Sequence, residues 1–212
     1  MAGKSLMLLC DIGNTSYAFY HQGEVTKYFI DDFDINSVTD EVYYICVNPK
    51  VTVLLEKNPL WIDIEPLIRL EGSYDTLGVD RKIAISALSD GVVVDAGSAI
   101  TIDIIEKGLY QGGFIFPGFV AMQKAFAQIS SKLDYLLNFE VTLDKIATNS
   151  QDAISYGAFV PIIQEIKRLS KDKQLIITGG DGAFLAQHIE GSLLQPHWLF
   201  DAMKKIINAS KG

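Results

Sequence analysis

"LLCDIGNTSYAFYHQGEVTKYFI" (residues 8–30) and "VVVDAGSAITIDIIEKGLYQGGFI" (residues 92–115) run on one plan. Each opens with an apolar run, meets Asp-x-Gly, then Asn or Ser, continues as a second strand, turns near a glycine and returns as a third. Asp11 falls on Asp95, Gly13 on Gly97 and Gly23 roughly on Gly108. One such corner is weak evidence of anything. Two, at matching places in successive halves, predict duplication of a strand-hairpin unit.

Working outward, apolar patterning predicts strands at residues 5–11, 16–21, 25–30, 42–47 and 174–178. A helix is expected from about 80 to 88, with Ile83, Ala84, Ala87 and Leu88 on one face. Another is expected over 118–139, where Phe119, Met122, Phe126, Ile129 and Leu133 recur three or four apart. Residues 151–170 and 198–209 read as two more helices. The stretch 50–70 is mixed and takes no clear assignment. The order predicts an α/β protein of two similar lobes, 1–89 and 90–212.

Composition narrows the function. The 212 residues are 49% hydrophobic and 21% charged, enough for real cores and free of any long disordered bias. A formal charge of −8 argues against a general nucleic-acid binder, which needs Lys and Arg against phosphates. A phosphate ligand stays possible, because backbone N–H groups or a metal can neutralise it locally. Cys10 and Cys46 sit in apolar runs and read as core residues, so no disulfide framework is expected and a reducing compartment fits. The apolar run Leu6–Cys10 is too short for a signal core or a membrane span, and the expected location is cytoplasmic. His21, His188 and His197 fall in no catalytic constellation and read as surface or structural residues.

A strand that ends in Asp-x-Gly-x-Thr suits a phosphate and its metal. Glycine lets backbone amides approach an oxyanion, a hydroxyl or amide adds a donor, and the aspartate can hold a hard cation directly or through water. The bland alternative is an Asx turn closing a hairpin. Two such corners plus "TGGDG" at 178–182 favour a ligand-lined cleft over three unrelated turns.

Five motifs, in this order, resemble the type III pantothenate kinase family of the acetate and sugar kinase, Hsp70 and actin superfamily. They are "DIGNT" (11–15), "LGVDR" (77–81), "DAGSAITID" (95–103), "GGFIFPG" (112–118) and "TGGDG" (178–182), and they cover nearly the whole chain. The resemblance implies two ribonuclease-H-like lobes of duplicated actin-like architecture with ATP in the cleft between them. It implies transfer of a phosphoryl group from ATP to the terminal hydroxyl of pantothenate, the first step towards coenzyme A. Mg²⁺ and a monovalent cation, K⁺ or NH₄⁺, are implied as cofactors. A homodimer is implied as well, with the apolar 118–139 segment as a candidate surface; neither nucleic acid nor membrane is expected as a partner.

Carried over residue by residue, the resemblance places Asp11, Ile12, Gly13, Asn14, Thr15, Ser16, Tyr17 and Ala18 in the first ATP loop, with Asp11 near the metal. Ser16, Tyr17 and Ala18 bring no basic residue where the family often has one. Asp95 matches the monovalent-cation position. Ser98 stands where a threonine usually touches ATP and keeps the hydroxyl. Gly179 and Gly180 would lie near the adenosine. Asp80 matches the proton acceptor, and Gly78, Val79, Asp80 and Arg81 match the pantothenate-binding stretch. Tyr74 matches a substrate-binding tyrosine and Ser150 a substrate-binding threonine.

Local sequence alone offers plainer roles: Asp80 and Ser150 as helix N-caps, Arg81 in a surface salt bridge, Tyr74 as a rim or core aromatic. Two other functions share the motifs. One is a superfamily kinase acting on another small acceptor. The other is a nucleotide-binding regulatory protein.

Overall fold

The structure is a computed structural model that describes residues 7–211. Residues 5 and 6 of the expected first strand lie outside the described residues, as does Leu6 of the N-terminal apolar run.

Strands β1 (Leu8–Ile12), β2 (Ser16–His21) and β3 (Glu24–Phe29) form an antiparallel meander. β4 (Val42–Cys46) adds in parallel to the other side of β1. Helix α1 (Pro49–Leu55) then crosses to β5 (Trp61–Asp63), parallel to β4, and α2 (Val79–Ser86) follows. The sheet order is β3-β2-β1-β4-β5. β1 is apolar because both its faces are covered. Leu9, on one face, packs with Val79 and Ile83 of α2, while Cys10 and Ile12, on the other, pack with Val51 and Leu55 of α1.

The plan then repeats. β6 (Gly91–Ala96), β7 (Ala99–Glu106) and β8 (Leu109–Pro117) form a second antiparallel meander, followed by α3 (Phe119–Ile129) and α4 (Ser150–Leu169). β9 (Leu175–Thr178) pairs in parallel with β6. After α5 (Gly182–His188), β10 (Leu193–Leu194) pairs in parallel with β9. The order is β10-β9-β6-β7-β8, the first sheet strand for strand. Val92, Val94, Ala96, Ile100 and Ile102 line one face of this sheet and pack with Phe159 and Ile162 of α4 and Leu185 of α5.

Even the hairpin turns match. Gln22 and Gly23 turn with φ of 53° and 95°, and Lys107 and Gly108 with 51° and 80°. Positive φ at both central residues is the two-residue hairpin that follows the twist of its strands. The duplication read from the two quoted stretches is therefore a duplication of topology, and the fold class is α/β with two mixed sheets.

The chain closes on α6 (Trp198–Ser210). Residues up to Ala87 and from His197 onward form one compact unit, and Leu88–Pro196 form the other. This differs from a single cut at 89/90. The reason is α6, whose Phe200, Met203 and Ile207 share a core with Leu9 and Ile45 of the first sheet. Trp198 also donates its indole N–H to the Ala84 carbonyl at 2.8 Å.

Three local expectations change. The helix expected over 118–139 stops at Ile129 because Ser130 is extended (φ −164°, ψ 143°). The Ser130 hydroxyl accepts the Lys132 N–H and starts a separate 3₁₀ turn, Ser131–Leu133. The unassigned 50–70 stretch holds most of α1, all of β5 and a 3₁₀ turn at Glu65–Leu67. Asn48 caps α1 by accepting from Lys50 N–H, with Pro49 in the first turn where a missing N–H costs nothing. Short α5 and two-residue β10 were not expected. Cys10 is fully buried, Cys46 half-buried, and both are free thiols. Among the described residues no helix is long and apolar enough to cross a membrane.

Candidate active site

Both Asp-x-Gly corners sit at the carboxyl end of the central strand of their own sheet. In the first, Asp11 is half-buried and paired with Ala18 on β2 and Ile45 on β4. Gly13 N–H donates to the Ser16 carbonyl at 3.0 Å and closes a three-residue loop. Asn14 and Thr15 at its tip are exposed, and the Thr15 carbonyl is held by Ile30 N–H at 3.0 Å. The rest of the predicted ATP stretch is more buried. Ile12, Tyr17 and Ala18 are buried, and Tyr17 packs its ring 5.0 Å from Phe33. Ser16 is half-buried. Asn14 and Thr15 are thus the exposed polar side chains of this loop. Behind the corner, burial and neighbouring Asp11 push the Cys10 thiol well up, which keeps it protonated and unreactive.

The second corner is tighter. Asp95 pairs with Thr101 on β7 and Thr178 on β9. Its loop is one residue shorter, with Gly97 N–H donating to the Ala99 carbonyl at 3.0 Å and Ser98 exposed. Gly118, the last residue of "GGFIFPG", donates its N–H to the Ser98 carbonyl at 3.0 Å and fits there only without a side chain. Gly179 has φ +87°, and a Cβ on it would lie 2.5 Å from both Asp95 Oδ1 and the Ala96 carbonyl oxygen. The structure thus gathers Asp95, Ser98, Gly179 and exposed Gly180 at one strand end.

The third element is the segment before and within α2. Gly78 occupies the N-cap position, so Asp80 is the second helical residue and not a cap. Asp80 Oδ1 accepts the Arg81 backbone N–H at 2.9 Å and stands 2.5 Å from where a Gly78 Cβ would be, so the glycine makes room for the carboxylate. Val79 is buried in the core. Arg81 is only 7% exposed, which removes the surface-salt-bridge reading, and its Nη1 donates to the Tyr74 hydroxyl at 3.2 Å. Tyr74 is an exposed rim residue. Tyr74, Gly78, Asp80 and Arg81 come together in the first unit. Ser150 lies in the second, exposed, as the first residue of α4, whose cap is Asn149.

Sequence reasoning passed over Asp181 and Thr178. Thr178 is buried beside Asp95 in the ladder. Asp181 N–H donates to the Ala96 carbonyl at 2.9 Å, its side chain caps no amide of α5, and burial pushes its carboxyl above the usual range. Its signal was its place inside "TGGDG". Among the described residues no group of three or more His, Cys, Asp or Glu gathers to cage a metal. Single carboxylates at glycine-rich corners suit a cation that takes its other ligands from phosphates, carbonyls and water.

A type III pantothenate kinase family profile matches residues 35–172. A type III pantothenate kinase of Campylobacter hominis is 41% identical over 97% of this chain and 100% of its own. One from Sulfurimonas denitrificans is 42% identical over 95% and 97%. Among solved structures, a Campylobacter jejuni protein described as a Baf family transcriptional activator superposes with a TM-score of 0.89 at 39% identity, covering 97% of this chain and 99% of that one. The pSK41 ParM protein superposes with a TM-score of 0.50 at 10% identity, over 97% and 98% of the two chains, a likeness of actin-like fold alone. With the motifs in order and relatives matched from end to end, this chain belongs to the type III pantothenate kinase family.

Proposed function

We propose that this protein phosphorylates the terminal hydroxyl of pantothenate with ATP, giving 4'-phosphopantothenate and ADP, the first step of coenzyme A synthesis. Full-length kinship with curated kinases carries this reading. Phosphoryl transfer asks the protein mainly for positioning and charge neutralisation, and the site residues divide along those lines. In our reading Gly13, Asn14 and Thr15 hold ATP phosphates, and Asp11 holds Mg²⁺ directly or through water. When bound, the metal neutralises charge on those phosphates. Asp95 holds a monovalent cation, K⁺ or NH₄⁺. The absence of a side chain at Gly179 supports that role, since a Cβ there would crowd the carboxylate oxygen. Ser98, Gly179 and Gly180 serve the nucleotide.

Asp80 accepts the proton of the pantothenate hydroxyl as its oxygen bonds to the γ-phosphorus and the bond to the ADP oxygen breaks. A positioned base contributes about 10²–10⁴-fold. Tyr74, Gly78, Val79 and Arg81 bind pantothenate, Arg81 through a guanidinium already oriented by Tyr74, and Ser150 adds a hydroxyl. Exposed apolar side chains on and after α3, Val120, Ile129 and Leu136, support a homodimer. Two free thiols fit the reducing cytoplasm. The charge of −8 speaks against nucleic acid as a partner.

Coupled ADP release with pantothenate and a panel of other hydroxyl and carboxylate acceptors, in potassium, ammonium or sodium, tests the assignment. Pantothenate should be preferred and potassium or ammonium should activate. No turnover at millimolar ATP, or preference for another acceptor, would overturn it.

A further inference from the structure

Away from both corners, a cavity of about 380 Å³ opens in the first unit where α6 runs past the end of α2. Leu67, Ile206 and Ala209 make most of its lining apolar, and Arg69, Lys205, Ser86 and Ser210 supply the polar part. Its charge is unusual for so acidic a chain. Arg69 Nη1 donates to the carbonyls of Pro66 at 2.8 Å and Ile68 at 3.0 Å, and Lys205 Nζ to that of Ala87 at 2.7 Å. Neither cation has a carboxylate partner among the described residues. Asp201, four residues before Lys205, pairs with Lys204 at 3.0 Å, and Glu65, four residues before Arg69, pairs with Lys82 at 3.0 Å, while Glu71, two residues after Arg69, is exposed. Carbonyl anchors fix both positive groups while leaving most of their N–H donors unused. The volume falls within the range of small-molecule pockets.

We propose that this cavity is a second ligand site, for an amphiphilic carboxylate whose apolar chain lies against Leu67, Ile206 and Ala209 and whose head group bonds Arg69 and Lys205. A polar or neutral ligand would leave one half of this lining unmatched. The position has a consequence that rests on the function proposed above. Arg69 precedes the loop that carries Tyr74, and Ser86 ends the helix that carries Asp80 and Arg81. A ligand spanning them steadies the substrate-binding segment from outside the active site.

Calorimetric titration of octanoate, without ATP or pantothenate, tests the site independently of kinase activity. Wild type should bind one octanoate. Arg69→Gln and Lys205→Gln should each weaken binding about fivefold, and the uncharged isostere 1-octanol should bind more weakly than octanoate. Circular dichroism should show both variants folded. Hydrogen exchange across residues 69–86 should slow when octanoate is added. No binding up to the solubility of octanoate, equal affinity in the folded variants, equal affinity for 1-octanol, or unchanged exchange would each overturn the proposal. A failed kinase assay would leave these binding results standing, so the two readings fail separately.

Discussion

The two Asp-x-Gly corners share their scaffold and differ in their filling. Each ends the central strand of a five-stranded sheet of identical order, and each is followed by the same positive-φ hairpin. The first presents an open loop tip of Asn14 and Thr15, held from behind by Ser16 and Ile30. The second is built of close backbone approaches, with Gly118 on Ser98 and Gly179 on Asp95. Equal topology thus carries unequal chemistry. A loop of exposed donors suits a ligand that comes and goes with each turnover, and a glycine-packed carboxylate suits a small ion. The lesson is that duplication fixes where a site can be built, and local steric room decides what it holds.

The largest effect is expected outside both corners. Asp80→Asn should lower kcat/KM about 10²–10⁴-fold with the circular dichroism spectrum unchanged; activity near wild type would remove it as the base and throw the chemistry back on the corners. Next come paired glycine substitutions. Gly179→Ala forces a Cβ to 2.5 Å from two oxygens in left-handed backbone, and should cost about 2 kcal/mol or more of stability in thermal unfolding. Gly13→Ala meets nothing closer than the Ser16 carbonyl at 3.7 Å. It should leave stability within about 0.5 kcal/mol and raise the KM for ATP instead. Equal melting temperatures for the two variants would erase the distinction drawn between the corners. The smallest effect belongs to Tyr74→Phe. Loss of one hydroxyl that orients Arg81 should raise the KM for pantothenate about two- to tenfold and leave that for ATP unchanged.

Much of this was legible in the sequence because the duplicated signals are local. Asp-x-Gly after an apolar run and a glycine near the hairpin turn report backbone geometry at the residues that carry them, so both meanders could be placed. Other features depend on contacts distant in sequence. The apolar stripe of α6 says that it packs, but only the structure gives it to the first sheet. β5 has three residues and β10 two, too short for any period to show. The break at Ser130 rests on one extended residue inside an otherwise helical stripe. The plainer alternative for Arg81, a surface salt bridge, gives way to a buried side chain that reaches Tyr74, which no local pattern reports. Asp181 was hidden among glycines whose closeness to Asp95 depends on the β6–β9 pairing.

The two carboxylates are proposed to hold different ions, and cation titrations of turnover measure that directly. Asp95→Asn should abolish activation by potassium while leaving the apparent Mg²⁺ affinity near wild type, and Asp11→Asn should weaken Mg²⁺ while keeping the potassium response. Loss of both responses together in either folded variant, or potassium activation that survives in Asp95→Asn, would contradict it.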